Sequence, residues 1–253
     1  MTNIILDERA YAECALKSLT LGAKPAETLN RVARYYYSEG YKKKEIIGLL
    51  EDFMLKCDPS INIVRWQTVI DRQASFSDRY ELINIQGINI TKHEIEKIKE
   101  LDGRLLQRLL FTMLCLAKYS NSVNPKNNGW VNRKDNEIFS LANISITNKR
   151  KSLMINDLWR LGFIGYSRIV DNININVKII DDDSPTELII SDFRNLGNQY
   201  LRYRGEKYIE CQCCGIVVKQ GGNVQKYCRD CAVEINRQRS LENWKRNKSY
   251  LLS

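Results

Sequence analysis

Apolar residues recur at helical spacing through the first 80 residues and divide that stretch into four segments. Asp7 to Leu21 carries Tyr11, Cys14, Ala15 and Leu19 on one side. Gly22 ends it, and Pro25 stands where a first helical position belongs, opening a second helix that runs to Glu39 before Gly40. Lys42 to Cys57 repeats the pattern with Ile46, Leu49, Leu50 and Phe53; Asp58-Pro59 stops it, and Asn62 to Phe76 forms a fourth segment. The pattern predicts a helical unit over 1–80, with Cys14 and Cys57 as core thiols on its apolar faces. The run Tyr35-Tyr36-Tyr37 at the end of the second helix suits either a stacking platform for bases or a packed helix edge.

Residues 81–103 predict a connector with one short helix. Positions 78–90 look extended. Thr91 and Glu94 then have capping-box spacing, in which each side chain satisfies the other's backbone N–H. The helix runs to Leu101 and is followed by Asp102-Gly103. The single histidine, His93, lies in its first turn and is expected at the surface.

The pattern changes over 104–183. Arg104 to Tyr119 is strongly apolar, and an Asn-rich loop follows at 121–128. Trp130-Val131 is long enough for one brief strand, and Asp135 to Asn143 forms a second helix. Thr147 caps a third helix that ends at Gly162, a left-handed stop. Two extended runs close the segment, Phe163 to Val170 and Ile173 to Ile180, with Asp171-Asn172 as the turn between them. Asp181-Asp182-Asp183 comes next and fits either a solvated loop or a metal-binding loop. Residues 184–207 predict a connecting helix, with Tyr200, Arg202, Tyr203 and Arg204 in the run Phe193 to Arg204.

Helix, short strand, helix, turn, helix and hairpin is the element order of a winged helix-turn-helix, and the run TNKRKSLMINDLWRLGFI (147–164) resembles that superfamily. Ile155, Leu158, Leu161 and the Leu161-Gly162-Phe163-Ile164 ending look like the family's recognition helix entering its wing. The resemblance implies that the third helix presents its first turns to the DNA major groove. Met154, Ile155, Leu158 and Leu161 are expected on its buried side. Asn148, Lys149, Arg150, Ser152 and Asn156 are expected on the open side. Arg suits a guanine edge and Asn an adenine edge, while Lys149 and Lys151 suit phosphates. Arg168 and Lys178 on the wing, and Arg133 and Lys134 before the second helix, are candidates for backbone contacts. A winged helix also serves as a protein-binding scaffold, so both readings stand.

The sharpest chemical signal is at 208–253. Cys211-x2-Cys214 and Cys228-x2-Cys231 are two knuckles separated by 13 residues. Four soft sulfurs at that spacing suit one tetrahedral Zn2+ site in a zinc ribbon or treble clef, with Gly215 easing the first turn. Four protein ligands leave no open position, so one structural ion is expected. Cys213 is spare. A redox role for the CxxC pairs is the alternative. The helix expected after the second pair carries Arg237, Arg239, Lys245, Arg246 and Lys248, a candidate nucleic-acid face or a solvated one.

Charge locates the candidate partners. The 253 residues hold 39 Lys+Arg and 30 Asp+Glu, a formal +9. Residues 1–100 balance at 15 against 15, whereas 201–253 hold 11 basic and 5 acidic side chains. A surplus at one end suits an anionic partner such as duplex DNA, and the neutral first unit suits a protein partner. Zinc on four thiolates contributes −2 and lowers the total to about +7.

No apolar run is long enough to span a membrane, and MTNIILDERAYAE lacks the plan of a secretory signal, so a cytoplasmic protein with reduced thiols is expected. The chain lacks GxxxxGK[ST] and HExxH, and one histidine cannot supply an HNH nuclease, so no enzyme is expected. Abundant Ile and Asn, with AT-rich codons, suit a low-GC bacterium or its phage, and the arrangement is similar to phage-encoded proteins of such hosts. The expected fold is mainly α with small β. The expected function is DNA binding in phage or mobile-element replication or transcription. The alternative is an adaptor or inhibitor that binds a host protein.

Overall fold

The computed structural model describes residues 4–167 and 174–250, the last six of them as backbone only. The described chain is mainly helical, with small two- and three-stranded sheets. It divides into two compact units, Ile5–Gln86 and a second that holds Gly87 onward.

The first unit contains α1 (Glu8–Ser18), α2 (Pro25–Ser38), α3 (Lys43–Cys57) and α4 (Ile63–Ser75). Asp7 caps α1 by accepting from the Ala10 N–H at 2.8 Å. The helix stops at Leu19, which is left-handed at φ 49°, three residues before the expected Gly22. Its core face is Ala12 and Ala15, and Cys14 sits two residues, or about 200°, from Ala12. Cys14 is therefore exposed, which corrects the expectation of a core thiol; Cys57 is half-buried at the edge of the cluster. Leu29, Val32, Ile46, Leu50, Met54 and Ile70 form the fully buried centre. Tyr35 and Tyr36 pack against this core as a helix edge.

Charges also enter this core. Arg31 and Arg34 lie on the buried face of α2, and Glu8 meets both, at 3.2 and 2.6 Å. The same carboxylate accepts from the Ile83 N–H at 3.0 Å. A buried charge needs such partners to offset its lost hydration.

The second unit opens with β1 (Ile88–Thr91) and α5 (Lys92–Lys99). Thr91 and Glu94 form the expected capping box, and His93 is exposed. Glu94 is fully buried and also binds Lys118 Nζ at 2.8 Å and the Asp181 N–H at 3.0 Å. Lys118 reaches Asp182 at 2.8 Å as well, so the acidic triplet is tied to the fold through its first two members.

The central helix is α6 (Arg104–Val123), four residues longer than expected. Leu109 to Ala117 is buried without a break, so elements pack on it from every side. After it come β2 (Trp130–Val131), α7 (Asp135–Leu141), α8 (Asn148–Arg160), β3 (Ile164–Tyr166) and β4 (Ile175–Val177). The three strands form one antiparallel sheet in the order β2-β4-β3, with Trp130 opposite Asn176 and Ile164 opposite Val177. Gly162 sits at φ 81° and turns the chain from α8 into β3. The turn expected at Asp171-Asn172 lies outside the described residues.

The segment expected as only a connecting helix holds a strand too. β5 (Thr186–Ile190) pairs antiparallel with β1, Ile88 opposite Ile190, through a bulge at Ile90/Thr91. Next is α9 (Leu196–Tyr203), whose fully buried Tyr200 donates to Gln107 Oε1 on α6 at 3.1 Å. Gly197 lets α9 approach the end of α7 closely, for a Cβ there would lie 2.0 Å from the Ala142 carbonyl oxygen. The chain ends in the hairpin β6 (Tyr208–Glu210) and β7 (Val217–Lys219), then α10 (Arg229–Tyr250).

Candidate metal centre and basic helix

Hairpin and helix bring the two CxxC pairs together. Cys211 and Cys214 lie on the turn between β6 and β7, shaped by the Gly215 N–H donating to the Cys211 carbonyl at 2.8 Å. Gly215 is left-handed at φ 77°. Cys228 and Cys231 lie at the start of α10, where the Ala232 N–H donates to the Cys228 carbonyl at 2.9 Å. A third bond joins the halves, from the Gln212 N–H to the Lys226 carbonyl at 3.0 Å.

The four sulfurs lie within 4.8 Å of one another and form a group able to hold one metal ion. Cys214 Sγ and Cys228 Sγ are 3.8 Å apart. A tetrahedron with Zn–S bonds of about 2.3 Å has an edge of about 3.8 Å, whereas a disulfide needs about 2.05 Å. Cys213 is exposed and stands outside the group.

Sulfur electrostatics follow from this crowding. Burial pushes the Cys211 thiol up, but nearby backbone N–H groups outweigh it and bring it down to about 6. Burial raises Cys214, and the Cys228 and Cys214 sulfurs raise Cys231. Four thiolates in this space repel one another unless a cation sits among them. Arg194 supplies positive charge alongside: it is held by Asp192 at 2.6 Å and donates to the Cys214 carbonyl. Its place on the loop before α9 gave no spacing signal in the sequence.

The second candidate surface is the outer side of α8. Thr147 caps the helix by accepting from the Arg150 N–H. Asn148, Lys149, Arg150 and Ser152 are exposed in its first turns, and Asn156 is half-buried. Lys151 turns inward instead, where it donates to Asn136 Oδ1 at 2.6 Å and lies 5.6 Å from the Phe139 ring. Met154, Ile155 and Leu158 are buried as expected, but Leu161 is 59% exposed. The helix has ended by then, and the turn into Gly162 carries Leu161 outward. Arg160 is exposed and falls on the same stripe as Lys149 and Asn156. Helical spacing alone would have found it.

This outer side is not purely polar. Leu153 is 50% exposed between the basic residues, and Trp159 and Tyr166 pair at 6.0 Å where α8 meets β3. Arg150 and Leu153 also border a cavity of about 690 Å³ shared with Arg104 and Leu105 at the start of α6.

No family model, curated protein or solved structure matches this chain. The remaining candidate residues divide by position. Lys178 is exposed beside β4, Arg133 pairs with Glu137 at 3.7 Å, and Lys134 immediately precedes α7. Arg237 and Arg239 are exposed on α10, as are Val233, Leu241 and Trp244. Arg168 lies outside the described residues, and the side chains of Lys245, Arg246 and Lys248 are not described. No described helix is long and apolar enough to cross a membrane.

Proposed function

We propose that the protein binds duplex DNA through a winged helix-turn-helix over 104–180, with a structural Zn2+ in a C-terminal treble-clef module. The observation that carries this reading is the strand order β2-β4-β3 built around α6, α7 and α8, with the first turns of α8 open to solvent. That is the arrangement in which a wing flanks a recognition helix. Lys149, Arg150 and Arg160 supply cations along the open stripe, and Asn148 and Asn156 supply amide groups for base edges. The zinc reading rests on four cysteines whose sulfurs fit a closed tetrahedral site. A phage or mobile-element protein of replication or transcription fits this composition, in a bacterial cytoplasm.

Fluorescence anisotropy on a labelled duplex tests the reading. The parent protein is expected to bind at about 50 mM salt, and Lys149→Ala with Arg150→Ala to weaken binding about tenfold or more. Absence of binding by the parent would overturn it.

A second reading is a protein-binding adaptor or inhibitor. Leu153, Trp159 and Leu161, each about half exposed on or just after α8, favour it, because exposed apolar groups of this size suit a protein contact. In that case Leu153→Ser abolishes capture of the partner while DNA titrations stay flat.

A further inference from the structure

The first unit holds a cavity of about 690 Å³ between the end of α2, the start of α3 and the segment after α4. Ligand sites commonly occupy about 300–1,000 Å³. Tyr37, Tyr41 and Tyr80 border it and are 49%, 42% and 75% exposed. They are three of the four exposed tyrosines among the described residues. None of their hydroxyls bonds a described residue.

The cavity is braced from below. Arg34 contributes to its lining and is only 9% exposed, with one nitrogen 2.6 Å from Glu8 and another donating to the Glu81 carbonyl at 3.0 Å. Tyr36, packed on the core, meets the Tyr41 ring edge-on at 5.6 Å. The turn at Gly40, φ 93°, and the Tyr41 N–H bond to the Tyr36 carbonyl set that position. The Tyr41 ring is thus held in place before any ligand arrives, while Tyr37 and Tyr80 border the cavity as exposed rings.

One lysine stands at the rim, and two more follow it in the chain. Lys42 lines the cavity and begins the run Lys42-Lys43-Lys44, all exposed. Neither Lys43 nor Lys44 pairs with an acidic group among the described residues. The overall neutrality of residues 1–100 therefore hides a local basic cluster beside three open aromatic rings.

We infer that this cavity binds an unpaired nucleotide of a single-stranded nucleic acid, its base stacked on the tyrosines and its phosphates against Lys42–Lys44. Stacked aromatic rings beside a cationic track are the chemistry of single-strand binding. A duplex does not fit, because its base faces are already covered by neighbouring pairs and only its edges are open. Asp78 and Glu81 also line the cavity, away from Lys42 in the sequence. Their carboxylates repel a phosphate but accept from a base amino or imino group, which sets the base on that side and the backbone on the lysine side. The site lies in a different unit from α8 and takes a different form of nucleic acid.

The test uses the full chain, with fluorescein-labelled dT12 and rU12 in anisotropy titrations at about 100 mM salt, where contacts between exposed charges are partly screened. A duplex is titrated in parallel. Replacing Tyr37, Tyr41 and Tyr80 together by Ala is expected to weaken single-strand binding about tenfold or more, since one lost stack is worth roughly 5- to 150-fold. Duplex binding should stay unchanged. Lys43→Glu with Lys44→Glu should weaken the single strand in the same direction and flatten its salt dependence. Either sugar supports the site, and the tighter oligonucleotide names its natural strand. The inference is overturned if the parent binds neither oligonucleotide at about 50 mM salt. It is equally overturned if the tyrosine variant, folded by circular dichroism, binds as the parent does or loses duplex and single strand alike.

Discussion

Removing the metal should unfold the C-terminal module and spare the rest of its unit. Within 208–231 the buried apolar side chains are Cys211, Val217 and Cys228, and two of these are candidate ligands. Burying Val217 stabilises the module by about 1.5–3 kcal/mol. Ordering the backbone costs about 1–2 kcal/mol for each residue. The hairpin ladder and the Asn198 bond to the Val217 carbonyl at 3.0 Å cannot close that gap, at about 1 kcal/mol net for each bond. Structural zinc contributes about 10–16 kcal/mol at neutral pH, far more than any other single contact in the module. Hydrogen exchange read by mass spectrometry, before and after chelation, measures the effect. The amides of Gln212, Gly215 and Ala232 should lose protection, while those of Leu110 to Leu116 on α6 keep theirs. Elemental analysis should return one zinc per chain, and Cys213→Ser should not change it. If protection over 211–232 persists once the metal is gone, the module has a source of stability that this reasoning lacks.

Two further substitutions probe the frame that carries these surfaces. Glu94→Ala removes the buried one of the two carboxylates that Lys118 meets at 2.8 Å, leaving it only the exposed Asp182, and strips the Thr91 and Asp181 N–H groups. It should cost about 3–5 kcal/mol in urea unfolding, much of it recovered when Lys118→Met is added. Carrying Trp66→Phe in all variants confines the tryptophan signal to the second unit; equal losses in the single and double variants would show the pair to be uncoupled. Gly197→Ala drives a Cβ to within 2.0 Å of the Ala142 oxygen. It should cost about 1–3 kcal/mol or more, and an unchanged melting temperature would show that α9 shifts away freely.

The helices were legible because their periodicity is local. Pro25 announced the start of α2, and the Thr147 cap and Gly162 bracketed α8. The cysteine group was legible for another reason: CxxC spacing encodes ligand convergence whatever surrounds it. What stayed hidden depends on distant partners. β5 is short, and its pairing with β1 spans about a hundred residues, so no local rule marks it. Arg31, Arg34 and Lys118 carry charges that propensity places at the surface, yet Glu8 and Glu94 draw them inside. The tyrosine run illustrates the same limit. Its three rings share one sequence motif, but Tyr35 and Tyr36 pack inward while Tyr37 joins Tyr41 and Tyr80 around a cavity closed by a segment some 40 residues on.

The number of cations in reach of a duplex decides which parts of the second unit bind it. α8 and the strand beside it offer four exposed cations, Lys149, Arg150, Arg160 and Lys178. If these alone meet the duplex, the slope of log affinity against log salt is about −3.6, and affinity falls about 150-fold between about 50 and 200 mM salt. If Arg237 and Arg239 of α10 join them, the slope steepens to about −5.4 and the fall approaches about 2,000-fold. Replacing both arginines by Ala then separates the cases without touching the metal ligands. A slope that stays near −3.6 in parent and variant alike assigns the duplex to α8 and leaves the exposed Val233, Leu241 and Trp244 side of α10 for another partner. A slope that drops from −5.4 to −3.6 makes the metal module a second clamp on the same DNA. A slope shallower than about −1 in the parent contradicts phosphate contact by either helix.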